Sequence, residues 1–266
     1  MYEKFYGFQE RPFNVTADPA FFFLSRKHQE AFSHLIYGIQ DRKGILEITG
    51  EIGTGKTTLC RALLNHLDSE TKTAFILNPY LSQLQLLQAI VADFGINIKS
   101  RNKLALINVL NDFLLQESAA GNNVVLLIDE AQNLSLKQLE QVRLLSNLET
   151  EKCKLLQIVL VGQPELLDKL RSPSLRQLNQ RISVRYHILP LDKDEVQEYI
   201  KHRLHVAGAK SKIEFNPDAL EEIFHYTGGT PRLINILCDR ALLAGFVVET
   251  QVITSEIIKK CIEELQ

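Results

Sequence analysis

The stretch Gly50-Glu51-Ile52-Gly53-Thr54-Gly55-Lys56-Thr57 narrows the choice of fold more than any other part of this chain. It fills the pattern G-x-x-x-x-G-K-[ST] at every fixed position. A chance match in a chain of this length is rare, on the order of one in a hundred at average composition. An apolar run, Ile45–Thr49, leads into it, and a helical pattern opens at Lys56. In that setting the glycines let backbone N–H groups line a concave loop, and the helix start adds positive potential. Such a loop suits a polyphosphate. Gly50, Glu51, Ile52, Gly53, Thr54, Gly55, Lys56, Thr57 and Thr58 are the candidate binding residues. Lys56 would reach the β- and γ-phosphates of a nucleoside triphosphate, and the Thr57 hydroxyl would ligate magnesium. The bland alternative is a glycine-rich turn that binds nothing.

Around this loop, short apolar runs alternate with helical patterns. Strands are expected at Ile45–Thr49, Ala74–Asn78, Val124–Ile128, Leu155–Val161 and Val184–Ile188. Helices are expected near Lys27–Ile39, Lys56–Leu67, Gln83–Phe94, Leu104–Gln116, Leu136–Leu148 and Glu165–Leu170. Near-continuous apolar strands separated by helices imply a parallel sheet covered on both faces. Pro190-Leu191-Asp192 marks a boundary, because everything after it reads as helix. Asp192 can cap a helix over Lys193–Leu204, and Asn216-Pro217-Asp218 combines a cap, a first-position proline and an acid. Two domains follow: an α/β domain over 1–190, with an aromatic N-terminal segment, and a helical domain over 191–266. In the opening segment Phe5, Tyr6, Phe8, Phe13, Phe21, Phe22 and Phe23 crowd together. They either pack on the core or lie in part over a nucleotide base.

Further candidates sit at strand ends. Val124–Ile128 ends in Asp129-Glu130, at the end where parallel sheets bind ligands. Asp129 would hold magnesium through water, and Glu130 would polarise the attacking water. The alternative is a pair of surface acids. Gln163 follows the strand ending at Val161 and would position the water or contact the γ-phosphate, unless it is a turn glutamine. Asn78 closes another strand and would hold Glu130 in an inactive pose, or simply make a turn. Arg176, Arg181 and Arg185 flank the passage into the last strand. A guanidinium suits developing phosphate charge, although any one of them could be a solvated surface residue. Arg232 lies in the first turn of a helix, where the dipole disfavours a cation. A phosphate there would offset that cost, so we read Arg232 as a nucleotide sensor.

Composition adds exclusions. A net charge of −2 gives no global attraction to nucleic acid or anionic membrane. Cys60, Cys153, Cys238 and Cys261 are scattered, which points away from a zinc site or disulfide framework and toward a reducing compartment. The N-terminus carries early charges and has no signal-peptide apolar region, and no apolar stretch reaches the length of a bilayer span. A cytoplasmic chain is expected.

With these residues placed, the chain resembles the AAA+ ATPases. The phosphate loop, Asp129-Glu130, Gln163, the arginine-bearing stretch and Gly229-Thr230-Pro231-Arg232 occur in AAA+ order. The opening, with Phe5-Tyr6-Gly7-Phe8, Pro12-Phe13 and Asp18-Pro19, resembles the general secretion pathway protein A family, also called ExeA or GspA. So do Leu144–Thr150, Val161–Leu166 and Leu175–Ile182. The resemblance implies a three-layer P-loop NTPase fold with sheet order 5-1-4-3-2 and a small helical lid. It implies ATP and magnesium as cofactors and an ATP-dependent homo-oligomer. Arg181, with Arg176 second, is implied as a finger for the neighbouring subunit's ATP. An inner-membrane or envelope-assembly protein is the implied partner. The long secretion proteins continue into a membrane span and a periplasmic domain that this sequence does not contain. It is therefore either a short relative or the cytoplasmic part of a longer protein, reaching the inner membrane through a partner or a further segment. Three functions are compatible: an ATPase that assembles or remodels an envelope system, a DNA-associated ATPase of transposition or initiator type, and a nucleotide-gated switch.

Overall fold

A computed structural model describes residues 2–77, 79–98, 100, 102–151, 153–209 and 213–265. Asn78, the expected end of the second strand, lies outside them. In chain order the N-terminal half runs α1 (Tyr2–Tyr6), α2 (Arg26–Gln40), β1 (Ile45–Gly50), α3 (Lys56–His66), β2 (Thr71–Ile76) and α4 (Gln83–Asp93). Next come α5 (Lys103–Ala119), β3 (Asn123–Ile128), α6 (Leu136–Leu145), β4 (Gln157–Gly162), α7 (Glu165–Leu170), α8 (Arg176–Asn179) and β5 (Ile182–Ile188). The remainder is α9 (Lys193–Val206), β6 (Glu214–Phe215), α10 (Pro217–Thr227), α11 (Pro231–Val247), β7 (Val252–Ile253) and α12 (Ser255–Glu263).

Contacts divide the chain into two compact units: Lys27–Ile52 with Leu59–Ile188, and Met1–Arg26 with Gly53–Thr58 and Leu189–Gln266. The first holds a five-stranded sheet in the order β2-β3-β4-β1-β5, which is the expected 5-1-4-3-2 read from the other edge. Every pairing in it is parallel. The central strands β1 and β4 are buried at every position, so no polar–apolar alternation can show. The edge strand β5 alternates, with Ile182, Val184 and Ile188 inside and Ser183, Arg185 and His187 outside. On one face Ile45, Val124, Leu126, Ile128, Ile158 and Leu160 share a core with Leu86, Ile90, Leu110 and Val142 from α4, α5 and α6. On the other face α2 presses on the sheet at Gly38. A Cβ there would collide with Leu46 and meet Val184 at 3.3 Å. Beside α2, the Phe32 ring lies 5.2 Å from the His66 ring of α3.

The second strand differs from its expected range. It spans Thr71–Ile76, because an edge strand half open to solvent accepts Thr71, Lys72 and Thr73 as readily as apolar residues.

The second unit buries its own core. Leu191, Val196, Ile200, Ile234, Leu237 and Leu242 meet Tyr2, Tyr6, Phe8, Phe13 and Phe21 in it. The aromatic opening, read from sequence with the α/β domain, is thus part of the helical unit's core. Buried Arg203 fastens it there: Nε donates to the Pro12 carbonyl at 2.5 Å and Nη2 to the Asn14 carbonyl at 2.8 Å. Its guanidinium also stacks 4.5 Å from the Phe21 ring. Asp192 caps α9 as expected, accepting from the Glu195 N–H at 2.9 Å, a cap worth about 1 kcal/mol. The region after Pro190 is not wholly helical. Two-residue strands β6 and β7 pair in parallel there, too short for any periodicity to reveal them.

Among the described residues no helix is long and apolar enough to cross a membrane.

Candidate functional site

Strand β1 ends at Gly50 and the next helix, α3, begins at Lys56. Gly53 and Gly55 sit at φ +82° and +93°, a left-handed backbone that favours glycine, so the loop's curvature is written in those two positions. Thr54 and Lys56 are buried, while Glu51 and Ile52 are exposed and Thr57 and Thr58 half-buried. Eleven residues of α3 follow, enough for a helix N-terminus to favour an anion beside Lys56.

The start of α11 meets this loop. The Arg232 N–H donates to the Gly53 carbonyl at 3.2 Å. A Cβ on Gly53 would approach Arg232 Cβ to 2.6 Å and Thr230 Cγ2 to 3.2 Å. Gly53 therefore serves two ends: it takes the positive φ and leaves room for the helix start. Arg232 itself remains exposed, in the first turn of α11.

At the end of β3, Asp129 is buried, its N–H donating to the Ile76 carbonyl at 2.9 Å. Its Oδ1 accepts from the Glu130 N–H at 2.9 Å. Glu130 follows at φ 52°, ψ 36°, a left-handed conformation that a residue with a Cβ rarely adopts. Strain of this kind costs on the order of 1–3 kcal/mol and gathers at functional sites. The Glu130 carboxylate is gripped by two amides. Gln132 Nε2 donates to Oε2 at 2.5 Å and Gln163 Nε2 donates to the same oxygen at 3.3 Å. Gln132 Oε1 in turn accepts from the Gln163 backbone N–H at 3.1 Å.

Gln163, expected beside the water or the γ-phosphate, is here a donor to the Glu130 carboxylate, a contact the sequence reading offers to Asn78 instead. Gln132 was not foreseen, although Asp129-Glu130-Ala131-Gln132 carries the signal: an amide two residues beyond the acid, in the short turn Ala131–Asn133.

The arginines separate. Arg181 is exposed, yet Nη1 donates to Asn147 Oδ1 and, at 3.5 Å, to Ser146 Oγ, both just after α6. Arg176 is exposed at the start of α8. Arg185 is committed within the chain. Its Nη2 donates to the Asn179 carbonyl at 2.7 Å and Oδ1 at 2.6 Å, and Nη1 lies 3.7 Å from buried Glu47 Oε2. Burial raises the Glu47 carboxyl above its ordinary range, and Arg185 and Arg171 oppose that rise. Arg185 is therefore a structural counter-ion.

The phosphate-loop strand and the acid strand flank β4 in the sheet, and all three run in parallel. Their C-terminal ends, at Gly50 and just before Asp129 and Gln163, lie at the same end of the sheet. Thr57 offers a hydroxyl and Asp129 a buried carboxylate. A buried carboxylate such as that of Asp129 suits magnesium, which keeps several waters and takes further oxygens from phosphates.

The model of the AAA domain family matches residues 39–170. General secretion pathway protein A of Aeromonas hydrophila is 50% identical over 247 residues, 92% of this chain and 45% of that protein. The replication factor C small subunit of Sulfolobus acidocaldarius is 28% identical over 209 residues, 77% of this chain and 54% of that protein. The chain spans about half the length of these curated relatives. Among solved structures, the ADP form of Aeropyrum pernix ORC2 superimposes with a TM-score of 0.72 at 14% identity, over 97% of this chain and 73% of that one. The Thermotoga maritima RuvB Holliday junction branch migration motor gives 0.59 at 21% identity, over 90% and 68%. At such identities the structures speak for the fold alone.

Proposed function

Because this chain belongs to the AAA ATPase family, in the branch of general secretion pathway protein A, we propose that it hydrolyses ATP to assemble or remodel a cell-envelope system. One observation carries the hydrolytic reading. Neighbouring strands β1, β4 and β3 end in the phosphate loop, in Gln163 and in Asp129-Glu130, with the Glu130 carboxylate held by Gln132 and Gln163.

In this reading the loop N–H groups and the Lys56 ammonium bind the β- and γ-phosphates, where they stabilise charge as it develops. Thr57 and Asp129 would hold magnesium, which when bound neutralises charge on the β- and γ-phosphate oxygens. Glu130 orients the attacking water and takes its proton. The water oxygen bonds to the γ-phosphorus as the bond to the β-phosphate oxygen breaks, giving ADP and phosphate. Gln163 reports γ-phosphate occupancy to Glu130, and Arg232 senses the nucleotide from α11. Arg181, with Arg176 second, acts on the neighbouring subunit's ATP in a homo-oligomer. The protein works in the cytoplasm, reaching the inner membrane through an envelope-assembly partner.

Phosphate release by purified protein tests this. Wild type is expected to turn over, and Lys56→Ala to lose on the order of 10²-fold or more in rate together with most of its ATP affinity. Wild-type turnover in that variant would remove the site assignment. The replication factor C relative favours a DNA-associated reading. Duplex DNA that binds at low salt and is released as salt rises would support it; with a net charge of −2, no such binding is expected.

A further inference from the structure

We propose that Gln132 is a positioning residue for the hydrolytic carboxylate, setting which Glu130 oxygen faces the water. This rests on the reading of Glu130 given above. The relay is closed. Gln132 Nε2 donates to Glu130 Oε2 at 2.5 Å, and Gln132 Oε1 accepts from the Gln163 N–H at 3.1 Å. One side-chain amide therefore ties the carboxylate to the backbone at the end of the neighbouring strand. Gln163 Nε2 donates to the same Oε2 at 3.3 Å. Among the described residues Oε1 accepts no hydrogen bond, so it is the oxygen left to meet water. The backbone of Glu130, already in the left-handed region, turns the side chain, and the Gln132 amide fixes what the backbone has turned.

Two further features fit a purpose-built amide site. Gly162, the last residue of β4, leaves room for it: a Cβ there would meet Gln132 Oε1 at 2.9 Å and Leu166 Cδ2 at 3.0 Å. Lys169 from α7 secures the turn beneath. Its Nζ donates to the carbonyl of Gln132 and, at 3.0 Å, to that of Leu134. The side chain of Gln132 is held through its amide and its main chain through Lys169. An ordinary surface glutamine would need neither.

The division of labour follows from chemistry. A carboxylate that takes a water proton must present a lone pair at one defined point. A misplacement of about 1 Å can cost on the order of 10²-fold. A free glutamate side chain samples several rotamers, and two amides on a single oxygen select one. The Gln163 bond to Oε2, at 3.3 Å, is the longer of the two and the easier to exchange. Gln132 then keeps hold of Oε2 while Gln163 exchanges partners.

The test uses the full chain and Gln132→Met, which keeps length and packing but removes both polar atoms. Single-turnover hydrolysis is expected to fall about ten- to a hundredfold, with ATP dissociation constant and melting temperature within experimental range of wild type. In the Glu130→Gln background the same substitution is expected to add nothing, because Gln132 acts through that carboxylate. Gly162→Ala, which pushes on the amide from the strand side, is expected to show the same rate loss with ATP affinity kept. Gln132→Met with full turnover, or an equal loss in the Glu130→Gln background, overturns the proposal. If Glu130→Gln itself hydrolyses at the wild-type rate, the hydrolytic reading of Glu130 falls, and the role of Gln132 falls with it.

Discussion

The phosphate loop and the carboxylate turn are built by different means. The loop is shaped by backbone: Gly53 and Gly55 take positive φ, and the hydrogen bond from Arg232 N–H to Gly53 O is also backbone. The turn carrying Glu130 is shaped by side chains, with Gln132, Gln163 and Lys169 supplying its bonds. In the proposed reading a backbone cradle would fix where phosphates sit, with the side chain of Ile52 exposed. A side-chain relay fixes where one oxygen points and tolerates little. Changes at the loop should therefore appear first as lost affinity, and changes at the turn as lost rate with affinity kept.

A large effect should also come from outside both regions. Arg181→Ala is expected to fold and bind ATP, but to hydrolyse on the order of 10³-fold more slowly, the lower end of what such arginines supply. Mixing it with Lys56→Ala protein should restore part of the rate. In a mixed assembly an intact loop can then sit beside an intact Arg181. A wild-type monomer whose turnover per subunit is flat on dilution, with no complementation, would end the trans-arginine model. Arg176→Ala run alongside decides between the two arginines.

A smaller effect sharpens the loop side of the contrast. Arg232→Ala keeps the backbone N–H that bonds Gly53 and removes the side chain beyond Cβ, guanidinium included. The ratio of ATP to ADP affinity is expected to fall about tenfold, the worth of one charge-assisted hydrogen bond. An unchanged ratio with unchanged turnover would return Arg232 to a purely structural place at the start of α11.

What was legible in the sequence follows the same divide. The loop and the acid pair are local features and the strands are apolar runs, whereas the sheet order came through the family resemblance. Gly53, Lys56 and Asp129 declare themselves by spacing, and β1 and β4 by continuous apolar runs. The Gln132 bond to Glu130 does not, because it depends on a left-handed turn and on a strand end 31 residues away in sequence. By position alone Arg185 stands with Arg176 and Arg181 in the sequence, and only the resemblance ranks the other two above it. Only the edge position of β5 beside buried Glu47 sets it apart as a counter-ion. The opening aromatics are plain in sequence, but the core they join is built by residues such as Val196, Ile200 and Leu237, with Arg203 bonding the segment's carbonyls, far downstream in the chain.

Glu130→Gln tests the central claim most directly, through two quantities measured on one sample: the ATP dissociation constant and the single-turnover hydrolysis rate. The amide keeps the size of the side chain and removes the group that takes the proton. The account expects affinity within a few-fold of wild type and a rate lower by about 10²–10⁴. A rate equal to wild type, or a loss of affinity as large as the loss of rate, would contradict it.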